Sequence, residues 1–297
     1  MTAQCAPILE VRDLRISLPA SADRPFALDG LNLTVRPGEI VCMVGESGSG
    51  KSLSAGAIMR LLPEPQVSVA GGSIVFEGED ILAKSEREMR DLRGNRISMI
   101  FQEPMTALNP QKTVGWQLDE VLRLHMNATR KQRYAHAIEM LERVQIPDPA
   151  SAYNAYPHQI SGGQRQRVMI AMALSLSPRL VIADEPTTAL DVTTQLQILK
   201  LIRELQEKDG AGVLFITHDF GVVAEIADHV VVLRDGKVVE QGEADQVLNH
   251  PRHPYTQALI ASVPDLAPPP PKPVNGLPVV LKGSGLNKVF AARGGLL

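Results

Sequence analysis

Glu39-Ile40-Val41-Cys42-Met43-Val44 runs directly into Gly45-Glu46-Ser47-Gly48-Ser49-Gly50-Lys51-Ser52. The first six residues form a short, mostly apolar run, the kind that becomes a buried central strand. The next eight match G-x-x-x-x-G-K-[ST]. Ser52 to Leu62 is then helical in pattern and stops before Pro63. Strand, glycine-rich loop and helix in that order are the context a phosphate-binding loop needs. A triphosphate is a dense anion. Glycines let the backbone curl so that successive N–H groups point inward. The helix beginning near Lys51 adds the positive end of its dipole. Lys51 places a full charge on the β- and γ-phosphates, and the Ser52 hydroxyl is a ligand for Mg²⁺.

Working outward, Ile8 to Leu18 alternates apolar and polar residues and reads as a strand, as does Leu31 to Val35 before the turn dipeptide Pro37-Gly38. Ser73 to Asp80 reads as strand then turn, and Ile97 to Phe101 as another short strand. Thr113 to Val144 is long, polar and helix-patterned, with no Pro or Gly between Trp116 and Val144, and begins a helical insertion running to about Gln159. A helix follows over Gln164 to Leu176. The buried strands Leu180 to Ala183 and Val213 to Thr217 flank a helix over Thr193 to Lys208. Asp235-Gly236 between two apolar runs is a hairpin signal. Strands alternating with helices predict an α/β fold: a P-loop NTPase core with a mostly parallel sheet, an antiparallel β subdomain and a helical subdomain over about residues 109–160.

Composition sets outer limits. The chain has 297 residues, 44% of them hydrophobic, which excludes a disordered protein. Lys+Arg 30 against Asp+Glu 33 leaves a net charge of −3, without the basic excess of a nucleic-acid binder. Two cysteines, Cys5 and Cys42, make no disulfide framework and no metal cluster. No run approaches the roughly 18–20 apolar residues of a membrane span, and the first residues lack the pattern of a signal peptide. The expectation is a chain soluble by itself, held at any membrane by a partner. From Pro264 onward proline is frequent, including Pro268 to Pro271, as in an extended linker. The division expected is therefore 1–262 for the P-loop domain and 263–297 for a linker or tail.

Two further stretches carry chemistry. Leu180 to Ala183 ends in Asp184 and Glu185. The first acid at such a strand end can hold Mg²⁺, and the second can orient or deprotonate a water. Acids commonly end strands, so this pair gains its meaning from the loop above. Ser161-Gly162-Gly163-Gln164 is a second glycine-rich turn that opens a helix, with Ser161 as its cap. Its N–H groups form a second anion site. Alone it reads as an ordinary capped helix.

In these residues the sequence resembles the nucleotide-binding subunit of an ATP-binding cassette (ABC) transporter over about Ile8 to Pro264. Gly45 to Ser52 are similar to the Walker A loop, Gln102 to the Q-loop and Ser161 to Gln164 to the signature motif, with Ile160 in place of the usual Leu. Asp184 and Glu185 are similar to Walker B and its catalytic glutamate, Ala189-Leu190-Asp191 to the D-loop and His218 to the switch histidine. Phe26 stands where the family has an adenine-stacking aromatic. The resemblance implies ATP and Mg²⁺ as cofactors and a head-to-tail dimer with a second ABC ATPase domain. Gly45, Glu46, Ser47, Gly48, Ser49, Gly50, Lys51 and Ser52 would grip a nucleotide that Ser161, Gly162, Gly163, Gln164 and Asp191 of the other domain close over. It also implies Ser52, Gln102 and Asp184 at the metal, Glu185 as general base and His218 at the γ-phosphate.

Longer segments are similar to bacterial peptide-type importers, which take up dipeptides, oligopeptides, glutathione and nickel chelates. They include Phe101 to Pro110, Tyr156 to Gln159, Glu185 to Val192, Gly221 to Asp228 and His253 to Leu259. This resemblance implies membrane permease subunits and, indirectly, a solute-binding protein as partners. It also implies a peripheral position on the cytoplasmic face of the bacterial inner membrane. Glu103 to Pro110 would be a surface loop at the permease contact. A soluble ABC ATPase acting on nucleic acid or ribosomes, and a nickel-chelate importer, are the alternatives. Val280-Leu281 with Leu286 to Phe290 resembles Ile8-Leu9 with Leu14 to Leu18, as though a second cassette begins near Val279.

Overall fold

The structure is a computed structural model that describes residues 6–103, 107–187, 190–263 and 281–288. It divides into two units, Met1–Val263 and Pro264–Leu297. In the second unit the described residues, 281–288, are exposed and in neither helix nor strand. The remainder of the repeat near Val279 lies outside the described residues, as do Pro104–Thr106 of the Q-loop segment and Thr188 and Ala189 before Asp191.

The first unit holds two sheets. The larger has six strands in the order β10-β9-β3-β8-β7-β6. Here β3 is Ile40–Val44, β6 Ile97–Ile100, β7 Leu180–Asp184, β8 Gly212–Thr217, β9 His229–Arg234 and β10 Lys237–Glu243. All neighbours are parallel except β9 and β10, which close antiparallel through Asp235-Gly236, both at positive φ. Alternate residues of β3 feed opposite faces: Ile40, Cys42 and Val44 enter one apolar cluster, and Val41 and Met43 the other. A sheet covered on both faces explains the unbroken apolar run read in the sequence. Phe215 in β8 is fully buried, and its truncation to Ala would cost about 3–5 kcal/mol.

The smaller sheet is antiparallel, in the order β2-β1-β4-β5, with β1 Leu9–Ser17, β2 Phe26–Val35, β4 Ser68–Phe76 and β5 Glu79–Asp80. In β1, Leu9, Val11, Leu14 and Ile16 are buried. The step of three between Val11 and Leu14 is a register irregularity at which Asp13 takes φ 46, so the apolar face is kept across the bulge. β2 and β4 begin five residues earlier than the apolar patterns at Leu31 and Ser73 suggest: Ile16 and Ser17 of β1 pair with Leu28 and Phe26 of β2 on one side and with Val69 and Ser68 of β4 on the other.

The helices depart from expectation in several places. α1 spans Lys51–Ile58, shorter than the pattern to Leu62, because Arg60 turns to φ 50 and Leu61 N–H bonds back to Gly56. α2, Glu86–Leu92, was not expected, although its cap Ser85 with Glu88 is a capping box. The long pattern from Thr113 is two helices, α3 Val114–His125 and α4 Arg130–Arg143. Thr129 and Gln132 form a second capping box that restarts the chain after the break. α5, Pro149–Asn154, completes the helical region, whose Val114, Leu118, Leu122, Met140 and Leu141 join the core cluster of Ile40 and Val44. α6 spans Gly162–Leu174, α7 Val192–Asp209, α8 Phe220–Ile226, α9 Ala244–Asn249 and α10 Pro254–Ala261. Among the described residues no helix is long and apolar enough to cross a membrane.

Candidate nucleotide site

Four adjacent parallel strands, β3, β8, β7 and β6, deliver the candidate residues at their carboxyl ends. β3 leads into Gly45 to Ser52, β8 into His218, β7 ends at Asp184 before Glu185, and β6 is followed two residues on by Gln102. The register aligns these ends: Val44 pairs with Thr217, Asp184 with Ile216 and Ile100 with Ala183. Side chains 132 positions apart, Ser52 and Asp184, thereby meet in one hydrogen bond. The carboxyl edge of an open α/β sheet is the general place for a ligand.

The loop leads into a helix start that no side chain caps. Gly50 is the N-cap of α1 at φ 105. A Cβ at Gly50 would lie 2.7 Å from the Ala27 carbonyl oxygen, and one at Gly45 would lie 2.2 Å from that of Leu233. Neighbouring backbone therefore presses on the loop from two sides, and glycine is required at both positions. Lys51 is 5% exposed, and its ammonium donates to the carbonyls of Gly45 at 2.8 Å and Glu46 at 2.9 Å. Burial pulls this ammonium below its ordinary pKa, while Glu185 and Asp184 oppose the shift. Ser49 Oγ is buried without a hydrogen-bond partner among the described residues. An uncapped helix start, an orphaned hydroxyl and a lysine bonded only to carbonyls fit a phosphate chain.

Ser52 Oγ donates to Asp184 Oδ1 at 3.1 Å. These are two hard oxygen groups, the type Mg²⁺ takes alongside phosphate oxygens and water. Burial pushes the Asp184 carboxyl up, the Ser52 hydrogen bond opposes, and the charge of Glu185 adds to the rise. Glu185 stands at φ 45, a conformation that costs energy for a non-glycine residue. Gln102 Nε2 donates to one oxygen of Glu185 at 3.0 Å, and His218 Nδ1 lies 3.3 Å from the other. Glu185 is thus held between two side chains. Phe26 is half-buried at the start of β2, one residue before the Ala27 carbonyl that presses on Gly50.

The second glycine-rich turn is elsewhere. Ser161 Oγ accepts from Gln164 N–H at 3.3 Å, and Gln164 Oε1 accepts from Ser161 N–H at 2.9 Å. Asp191 caps α7, accepting from the N–H and hydroxyl of Thr194. The Thr194 N–H holds its carboxyl below the usual range. Among the described residues, no hydrogen bond or ion pair joins Ser161 to Gln164 or Asp191 to the phosphate loop.

Three contacts at the site were not read from the sequence. Arg24 donates to the Gly48 carbonyl and pairs with Asp235. Gln166, in the second turn of α6, donates to the Pro186 carbonyl at 2.6 Å, next to Glu185. Tyr255 in α10 accepts from Glu46 N–H at 3.2 Å. Each crosses 20 or more positions, and none has a local pattern. Only the last had any sequence signal, in the run His253 to Leu259.

Fold and site together define a P-loop ATPase with a helical insertion and an antiparallel β sheet. Residues 28–188 match the family described as ABC transporter, and residues 239–293 match the oligopeptide/dipeptide transporter C-terminal region. A probable peptide ABC transporter ATP-binding protein of Sinorhizobium fredii is 51% identical over 87% of this chain and 77% of its own length. An oligopeptide transport ATP-binding protein of Bacillus subtilis is 51% identical over 87% of this chain and 72% of its own. A peptidoglycan transport ATP-binding protein of Agrobacterium fabrum is 47% identical over 98% of this chain, but the chain spans only 53% of that relative's length. Among solved structures, the cassette MJ0796, a dimer in a post-hydrolysis state bound to ADP and Pi, superposes with a TM-score of 0.71. It is 28% identical, and the match covers 80% of this chain and 98% of that one. The chain belongs to the ABC transporter family, as one of its ATP-binding cassettes.

Proposed function

We propose that this chain hydrolyses ATP as one half of a head-to-tail pair and so drives uptake of peptides or related small solutes through membrane permease subunits. The observation that carries the reading is the convergence of Lys51, Ser52, Asp184, Glu185, Gln102 and His218 at the ends of four neighbouring strands. Supporting it are the C-terminal match to oligopeptide/dipeptide transporters and the peptide-transport names of relatives at about half identity.

The roles follow from the geometry. The loop from Gly45 to Ser52 and the start of α1 bind the phosphates, with Lys51 exchanging carbonyl oxygens for phosphate oxygens. Ser52 and Asp184, with Gln102 nearby, hold Mg²⁺, which when bound offsets the negative charge of the triphosphate. Glu185 accepts a proton from the attacking water, and Gln102 and His218 fix where its two oxygens point. Ser161 to Gln164, which share no hydrogen bond with their own loop among the described residues, close over the nucleotide of a partner cassette. Phe26 borders the adenine. The solved dimer of MJ0796 supports the paired arrangement. Phe101, Ala107, Leu108, Val121, Met169 and Met172 line an apolar groove of about 190 Å³ beside Gln102, which suits a permease segment on the cytoplasmic face of the membrane. The name of the Agrobacterium relative favours a second cargo reading, a peptidoglycan fragment.

The test is reconstitution in proteoliposomes with the permease subunits and a receptor. ATP-dependent peptide accumulation that disappears in Glu185→Gln is the result expected. ATP turnover without accumulation of any peptide or peptidoglycan fragment would contradict the transport reading.

A further inference from the structure

The phosphate loop is braced from a part of the chain 209 positions away. Glu46, the second residue of the loop, is held at both of its backbone polar groups. Its carbonyl accepts from Lys51 Nζ at 2.9 Å, and its N–H donates to the Tyr255 hydroxyl at 3.2 Å. Tyr255 is 8% exposed, and the Arg234 guanidinium sits 4.9 Å from the centre of its ring. That stacking fixes the ring, and burial raises the phenol, so the hydroxyl stays protonated and neutral. The start of α10 is fixed in turn: both oxygens of Glu240 in β10 accept backbone N–H groups, from Arg252 at 2.7 Å and His253 at 3.1 Å. His253 Nδ1 then accepts from Tyr255 N–H at 3.1 Å. A continuous set of hydrogen bonds thus runs from β10 through α10 to the loop and ends at the lysine that meets the phosphates.

We propose that Tyr255 is a positioning residue for the phosphate loop: its hydroxyl fixes Glu46, and through Glu46 the Lys51 ammonium, so the C-terminal region sets the affinity for ATP. This rests on the reading that Gly45 to Ser52 bind ATP, and it gives a role at the nucleotide to residues within the matched C-terminal region, 239–293. The reason is energetic. Lys51 is buried and must keep acceptors until phosphate arrives. A Glu46 free to rotate would let its carbonyl leave the lysine, and the loop would have to be re-ordered at each binding event. Ordering it in advance moves that cost from binding to folding.

Tyr255→Phe removes the hydroxyl and keeps the ring under Arg234. The dissociation constant for a fluorescent ATP analogue and the KM for ATP should both rise about three- to tenfold, the range for one net hydrogen bond. The turnover number should stay within about twofold and the melting temperature within about 2 °C, because no atom near Glu185 is touched. Unchanged affinity and KM would overturn the proposal, as would a fall in melting temperature with no change in KM, which marks a merely structural contact. Wild-type protein that failed to bind the analogue would overturn the reading of the loop, and this inference with it. Wild-type binding with an unaltered variant would overturn the inference alone.

Discussion

The helix that begins at Lys51 has no side-chain cap, whereas the helix that begins at Gly162 is capped by Ser161 and Gln164 from the same turn. Both starts are rich in glycine, and at each the first-turn N–H groups have no intrahelical partner. The first is crowded: Gly50 has Ala27 and Leu28 against it, and Lys51 is buried. The second is open: Ser161 is exposed, and among the described residues a Cβ at Gly163 would meet Leu190, at 3.8 Å. On the proposed reading the crowded, uncapped start offers its N–H groups to an anion and is ordered in advance for binding. The capped start is already satisfied and is stable without nucleotide. On the proposed reading it is the half that engages only when a second cassette brings a phosphate to it. In the proposed function one chain thus carries a grip and a latch, and among the described residues no hydrogen bond or ion pair joins the two.

The comparison can be broken in several ways. The largest effect belongs to Glu185→Gln. Turnover should fall about 10²- to 10⁴-fold, the worth of a general base, while ATP affinity changes less than twofold because grip and latch are both intact. Steady-state turnover together with nucleotide titration measures both. Next comes Lys51→Ala, which removes a charged donor from the grip. Affinity for ATP should fall about 10- to 100-fold in the single chain, and Ser161→Ala in the same titration should leave that affinity unchanged. Equal losses in the two variants would abolish the distinction between grip and latch.

Smaller effects sharpen it. Placed at each helix start, one methyl group should act oppositely. Gly50→Ala forces a Cβ to within 2.7 Å of backbone at φ 105 and should cost about 1–3 kcal/mol by denaturant unfolding. Gly163→Ala makes an ordinary contact and should leave stability the same or slightly higher, its penalty confined to pairing with ATP. Smallest is Ser161→Ala, which removes one cap. Stability should fall by about 1 kcal/mol, read as a drop of a few degrees in melting temperature without nucleotide.

Much of the grip was legible because it is local. Val44, the glycines and Lys51 follow one another, and an apolar strand ending in Asp184 and Glu185 carries its own signal. The helical region was legible as a composition change, but its break at Thr129 was hidden by good helix formers on both sides. What the pattern could not carry is contact at a distance. β2 starts at Phe26, where it pairs with Ser17 of β1, a partner nine positions back whose position the local pattern does not give. Gln166 reads as one more polar residue of an exposed turn, yet it is buried and bonds to the Pro186 carbonyl. Tyr255 lies in a segment whose resemblance suggested kinship but no role. The left-handed backbone at Glu185 has no sequence signature, since it comes from the strand end and the bond of its N–H to Ile216.

The central claim is that ATP joins the grip of one chain to the latch of another, and sedimentation of Glu185→Gln tests it most directly. Without nucleotide the protein should sediment as a single chain, and with saturating ATP and Mg²⁺ as a pair, while Ser161→Ala in the same background shifts the pairing to higher protein concentration. A single chain that is fully occupied by ATP and never pairs would contradict the account.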